Sequence, residues 1–360
     1  MQVPDVSVPN SLEAVYDRFM REGWGDGLPI IPPTAERVHE MLRYTDREPE
    51  EVIGVVANGW GEASVLLIAV NAVMAGCRPE YLPVVIAAVK GLCEDALNLY
   101  ALQSTTNPVA LAGFVNGPVI ESLGFNAGCN CLGQGNRANA TVGRAIRLIA
   151  VNIGGGRPGE FDRATQGQPA KYSFFFAENE KANPWEPFHV ERGFDPEVST
   201  VTVLGASGTL NLIDWADEAA DLLRAFSVSL CFPNSSDHIL NGEPWLILSP
   251  DQAAILKAGG HTKASIRQYL WENTRLPFRT FTKKTAHYKA RPKWEPILGE
   301  LQPETLIPIA DVPDRIRILV AGGPGYHSIF VPTFGDTRAV TVPIADRNGK
   351  PMSTFGRELQ

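Results

Sequence analysis

This chain predicts an α/β protein: a helix-rich α+β domain over residues 1–196, then a smaller α/β domain over 197–360 with a largely parallel sheet. Three observations carry that expectation. The 360 residues exceed what one core comfortably organises, on a prior of roughly 150 residues per domain. The first half alternates helical apolar patterns with short apolar runs. After residue 197, apolar β-branched runs alternate with helical patterns, the rhythm of parallel strands joined by crossover helices.

Residues 11–22 (SLEAVYDRFMRE) place Leu12, Val15, Phe19 and Met20 in helical register behind Ser11 as N-cap. The turn-rich GWGDGLPIIPPT ends that helix; its Trp24, Asp26 and Pro29 either cover a cleft or simply punctuate the chain. A second helix starts near Ala35. Residues 51–58 (EVIGVVAN) read as a short buried strand, followed by helices at about 62–76 and 80–99. The apolar run Val65–Ala75, interrupted by Asn71, is too short for a bilayer span and reads as a core helix. Val109–Asn116 is a strand, and Asn136–Asn152 is a helix with apolar Ala140, Ile146, Leu148, Ile149 and Val151. Between them lies the loop NAGCNCLGQG. From Gly154 to about Pro196 the chain is irregular, polar and aromatic, as functional or linking segments are. Strands at 201–206, 245–249 and 316–322 then interleave with helices at 216–229, 251–258 and 262–273. No repeat with a period of roughly 20–50 residues is present.

Forty acidic against 32 basic residues leave a formal charge of −8, which argues against a broad basic face for nucleic acid. With 44% hydrophobic and 20% charged residues, the chain can bury a large core. Five cysteines without a paired framework disfavour a secreted disulfide scaffold and favour a reducing cytoplasm. The opening MQVPDVSVPN lacks the basic and apolar regions of a signal peptide, so export is not expected. Cys77, Cys93 and Cys231 sit in or beside apolar helices and read as buried. His39, His238, His261 and His287 lack metal spacing and read as surface or satisfied core. No G-x-S-x-G elbow is present, which weakens a hydrolase reading.

Four places carry chemistry. Cys129 and Cys131, one residue apart before Gly133, Gly135 and a helix start, gain thiolate character if the helix dipole reaches them; otherwise they fill small pockets beside the glycines. Asn136, Arg137, Thr141 and Arg144 form a polar stripe that suits an anion, or a solvated face. The irregular segment brings Arg163, Gln166, Lys171, Tyr172, Glu178 and His189 together, with Glu178 and His189 as acid or base candidates. Finally, IRILVAGGPGYHS ends a strand in Gly322 and Gly323 and delivers His327 and Ser328, either to a ligand or within a tight structural turn.

The strings DGLPIIPPTAERV, MAGCRPEYLPVV, GQGNRANATVGRA, RATQGQPAKYSFFFAENE and LVAGGPGYHSIF run from about Asp26 to Ile344. They resemble an uncharacterised bacterial family whose members often accompany UGSC-type (seleno)proteins and partly resemble them in their C-terminal half. That resemblance implies thiol or selenol redox chemistry nearby and names no substrate. The C-G-S-C string of the UGSC type does not occur here, so the redox role transfers to no C-terminal residue; Cys129 and Cys131 are read from their own loop.

These readings point to a cytoplasmic enzyme, or a subunit of a catalytic complex, acting by redox or nucleophilic thiol chemistry on a small polar or carboxylate metabolite at the domain interface. Cys131 with Cys129 is the expected thiol, the 137–144 face the anion holder, and His189 or Glu178 the proton carrier. Two alternatives stand beside it. One is a metal-dependent hydratase or lyase holding a transition metal through Cys129 and Cys131; the other is a non-catalytic ligand-binding partner of a redox protein. Nucleic-acid and membrane partners are not expected, and small apolar N-terminal helices favour a homo-oligomer.

Overall fold

Short polar side chains start the first helices where the sequence places them. Ser11 accepts the Ala14 N–H ahead of α1 (Leu12–Arg21), and Thr34 accepts the Arg37 N–H ahead of α2 (Ala35–Leu42). A hairpin of β1 (Val52–Val56) and β2 (Gly61–Ser64) leads through the Ser64 cap into α3 (Val65–Ala75), and then α4 (Leu82–Leu92). The expected buried strand at 51–58 is therefore the outer arm of a hairpin, with Val52 and Val55 exposed, and the expected helix at 62 starts only after β2. Next come α5 (Leu99–Ser104), β3 (Ala110–Asn116), α6 (Val119–Leu123) and α7 (Arg137–Asn152), with Asn136 capping α7 by accepting the Asn139 N–H. β4 (Phe175–Ala177) and α8 (Phe188–Glu191) interrupt the otherwise irregular 154–196 segment. This computed structural model describes Ser7, Val8 and residues 11–356; the opening read above as lacking an export signal lies largely outside the described residues.

The second half supplies β5 (Thr200–Ala206), β6 (Leu210–Ile213), α9 (Ala219–Ser229), α10 (Ser236–Leu240), β7 (Trp245–Leu248), α11 (Pro250–Ala258) and α12 (Lys263–Asn273). A small β8 (Arg275–Pro277) and β9 (Leu306–Pro308) pair follows, then β10 (Arg317–Val320), β11 (His327–Val331) and β12 (Val340–Pro343). One four-stranded sheet has the order β12-β5-β3-β4 and the other β10-β7-β11-β6. Only β3 with β4 and β10 with β7 run parallel, so the largely parallel sheet expected from sequence is a mixed, mainly antiparallel one. β5 pairs along its whole length with β3, so this sheet draws strands from both sides of residue 197.

The error has a physical cause. The two sheets bury a common aromatic core in which Phe114 lies 5.4–5.5 Å, centroid to centroid, from Phe176, Phe188 and Trp245. The far face of the first sheet packs on the α3, α4 and α7 side through Leu111, Val115, Val201 and Val203. That of the second packs on α9, α11 and α12 through Leu246, Leu248, Ile318 and Val320. Strands covered on both faces read as unbroken apolar runs whichever way they point, so composition reports burial and not direction. Each fully buried Phe or Trp of the shared core contributes roughly 1.5–3 kcal/mol. Among the described residues no helix is long and apolar enough to cross a membrane.

Candidate functional site

The C-x-C motif is a turn wedged between α7 and the end of β10. The Cys131 N–H donates to Gly128 O (3.1 Å), and Asn130 takes a left-handed φ of 58°, with its side chain donating to Gln134 O at 2.8 Å. Asn139, one turn into α7, is buried and locks the loop: its Nδ2 donates to Asn126 O (2.9 Å) and Cys131 O (3.0 Å), while its Oδ1 accepts the Asn126 N–H (2.9 Å). Asn126 in turn accepts the Gly128 N–H and donates to Cys129 O. Carboxamides serve here because each carries donors and an acceptor, matching a loop whose amides and carbonyls have no ladder partner.

The glycine turn after β10 closes on the same loop. Gly322 N–H donates to Ala127 O at 2.8 Å, and a Cβ built on Gly323 would stand 2.1 Å from Cys129 Sγ, so only glycine permits this approach. Cys129 is exposed and Cys131 buried in the shared aromatic core. Burial pushes the Cys131 thiol up to about 11, against the N–H groups of Cys131, Leu132 and Gly322 at its sulfur. Of the pair expected to supply the reactive thiol, Cys129 is thus the accessible sulfur and Cys131 the buried one behind it.

Asn179 ties this loop to an acid group. Directly after β4, its N–H donates to Val320 O (2.8 Å) and its Nδ2 to Gly322 O (3.0 Å). On either side of it, Glu178 and Glu180 share Asn116, whose Nδ2 donates to both carboxylates at 2.6 and 2.7 Å. Glu178 also accepts from Asn183 Nδ2 and Phe188 N–H. Burial pushes its carboxyl up to about 7, although those donors and the charge of Lys263 favour the carboxylate. His189 is fully buried; its Nε2 faces Pro196 O at 3.3 Å, and its unpartnered Nδ1 stands 3.6 Å from Glu180 Oε1. Burial lowers the His189 pKa while Glu180 raises it, with a net downward direction. A cavity of about 870 Å³ opens here, walled by Asn126, Ala127, Asn136, Glu178, Asn179 and Glu180. It lies past the carboxyl ends of the parallel pair β3 and β4, beside the C-x-C turn, whose Asn126 and Ala127 reach its wall while Cys129 and Cys131 do not line it.

Several other expected site residues are engaged elsewhere. Arg144 forks onto Asp26 (Nε to Oδ2 2.7 Å, Nη2 to Oδ1 2.8 Å), Arg137 Nε donates to Gly76 O (3.0 Å) and Thr141 Oγ1 to Arg137 O (2.7 Å). The polar stripe of α7 therefore anchors the N-terminal loops through the Arg144 guanidinium and the Arg137 Nε, and the exposed remainder of Arg137 lines a separate cavity beside α2. Ser328 bonds Gln252 and accepts the Ser249 N–H, and His327 Nδ1 meets Asn211 Oδ1 at 2.9 Å, so the glycine turn delivers neither to Cys129. Arg163 is exposed and donates to Glu160 O. Gln166, Lys171 and Tyr172 line a different cavity together with Arg147 and Asp162. For the metal reading, among the described residues no group of three or more His, Cys, Asp or Glu gathers to complete a ligand set for Cys129 and Cys131.

Asn116 and Glu180 escaped the sequence reading, while Asn139 and Asn179 stood out there only as members of the polar helix start and of the irregular segment, without a role. The one signal available was the density of asparagines around NAGCNC and AENE, a residue type otherwise confined to turns and caps. Compared with protein-family models, with curated proteins and with solved structures, the chain shows no match.

Proposed function

We propose that this protein is an enzyme performing dithiol redox chemistry at the C-x-C turn on a small polar metabolite held in the crevice beside it. The observation that carries the reading is the meeting of the C-x-C turn with the glycine turn, which leaves Cys129 exposed and Cys131 buried one residue away. Cys129 Sγ attacks one sulfur of a substrate disulfide and expels the first thiolate. Cys131 then gives up its proton and attacks Cys129 Sγ, expelling the second. Two electrons pass to the substrate and a Cys129–Cys131 disulfide remains. A bent three-residue segment holds its end Cα atoms about 6 Å apart, within disulfide range.

Charge narrows the substrate further. Glu121, Glu178, Glu180 and Glu197 line the crevice against the single Lys181, which opposes a carboxylate and favours a neutral or cationic group. Glu180, on this wall and 3.6 Å from His189 Nδ1, is the proton acceptor we assign to the reaction.

The test uses the reduced full chain with cystamine, a cationic disulfide, and with dithiodiglycolate, an anionic one. Cystamine should be reduced faster, with the protein losing the mass of two hydrogens and its Cys129 and Cys131 becoming resistant to alkylation. Cys129→Ser should abolish the reaction without unfolding, and Cys131→Ser should stop it at a trapped mixed disulfide on Cys129. Undiminished reduction by Cys129→Ser removes the thiol mechanism; faster reduction of the anionic disulfide removes the charge selection.

A further inference from the structure

A second cavity, of about 780 Å³, lies along the later turns of α7 and holds an unbalanced positive charge. Arg147, Asp162, Gln166, Lys171 and Tyr172 line it, with Met20 and Val151 as apolar walls. Asp162 accepts from Arg147 Nη2 (2.6 Å) and from Lys171 Nζ (2.6 and 2.8 Å), and the three side chains are only 7–15% exposed. One carboxylate thus serves two cations. Burial alone would raise the Asp162 pKa, but Lys171, the Ala164 N–H and Arg147 hold it below the usual range. Asp26, which also borders the cavity, is spent on Arg144 in a two-bond fork. Among the described residues, Nη1 and Nε of Arg147 have no protein acceptor, and neither does the Tyr172 hydroxyl.

We infer that this cavity binds a small organic monocarboxylate, held by Arg147 and Lys171 and flanked by Gln166 and Tyr172 at the mouth. Two buried cations facing one carboxylate leave one charge uncompensated, which in a poorly solvated site is an anion-binding arrangement. The fork of Arg147 and the single excess charge match a carboxylate better than a phosphate dianion, which Asp162 would repel more strongly. The site is separate from the thiol crevice: Asn136 and Arg147 stand about 16 Å apart along α7 at 1.5 Å per residue. Either assignment can therefore fail alone.

Titration calorimetry of the full chain at neutral pH with acetate, lactate and benzoate, and with inorganic phosphate, tests this. At least one monocarboxylate should bind saturably and more tightly than phosphate. Arg147→Gln and Lys171→Gln should each weaken it by about tenfold or more, the scale of a lost charge-assisted hydrogen bond. Asp162→Asn removes the competing carboxylate and should tighten it; if that variant fails to fold, the two cation variants decide. The absence of saturable binding at millimolar concentrations, affinities unchanged in the cation variants, or a preference for phosphate would each overturn the assignment.

Discussion

The two cavities flanking α7 are built on opposite principles. At its N-terminus the Cys129 loop is framed by neutral groups, with asparagine carboxamides, backbone amides and glycines holding it, and the crevice beside it carries four glutamates against one lysine, Lys181. Toward its C-terminus, the cavity around Arg147 is framed by ions, with three charged side chains holding one another. A neutral frame fixes the geometry of the loop and leaves the field to the acids of the neighbouring wall, which suits a site whose work is sulfur chemistry. An ionic frame sets a field and depends on charge balance, so it responds to an anion and is vulnerable to losing one.

That contrast is broken most forcefully at Asp162. Asp162→Asn leaves Arg147 and Lys171 buried with no carboxylate between them, and should cost about 3–5 kcal/mol of stability. Chemical denaturation should show the loss, and an added monocarboxylate should restore part of it by binding only the folded state. A loss below about 1 kcal/mol would mean that water already screens the triad and that the two frames do not differ in kind.

Glu178 tests the crevice by pH. Burial pushes its carboxyl up to about 7 from an ordinary 4.5, so the folded state binds this proton more tightly than the unfolded one. Its contribution to stability is fully present below about pH 4.5 and is lost as pH rises through 7, on the order of 3 kcal/mol over the window. Glu178→Gln should flatten that slope in denaturation midpoints measured from pH 4 to 8. A slope identical in wild type and variant would show that Asn116, Asn183 and the Phe188 N–H keep the carboxylate ionised despite its burial.

Asn139→Ala strikes the neutral frame directly. It strands the Asn126 N–H and the carbonyls of Asn126 and Cys131, for a loss of about 2–3 kcal/mol. Cys131 should also become open to alkylation, which a merely destabilising change elsewhere, such as Asp162→Asn, would not produce under native conditions.

How much of this was legible in the sequence follows the same division. The cores of α7 and β3, and the strands at 201–206 and 245–249, were plain from apolar runs and periodicity, and Ser11 from cap chemistry, whereas the capping role of Asn136 was not read. Strand direction was not, because β3, β5 and β7 are buried on both faces. The C-x-C loop and the glycine turn were each visible as unusual local strings, but their meeting depends on Asn179 and Gly322, 143 positions apart. Arg144 looked free for an anion because its partner Asp26 lies 118 positions earlier. Local backbone chemistry is written locally; ion pairing is settled by the fold.

The finest probe of the contrast is Gly323→Ala. A methyl there meets Cys129 Sγ at 2.1 Å and its Cα at 3.2 Å, so the glycine turn and the C-x-C turn must separate, at a cost of about 1–2 kcal/mol. The flexible part of the contact is the Cys129 side chain, which can swing outward, whereas the Gly322 N–H to Ala127 O bond resists any wider parting. Cys129 should therefore alkylate faster while Cys131, held from the other side by Asn139, stays protected. Equal acceleration at both cysteines would instead show that the loop moves as one body, and that the close approach of Gly323, rather than the asparagine lattice, is what keeps Cys131 buried.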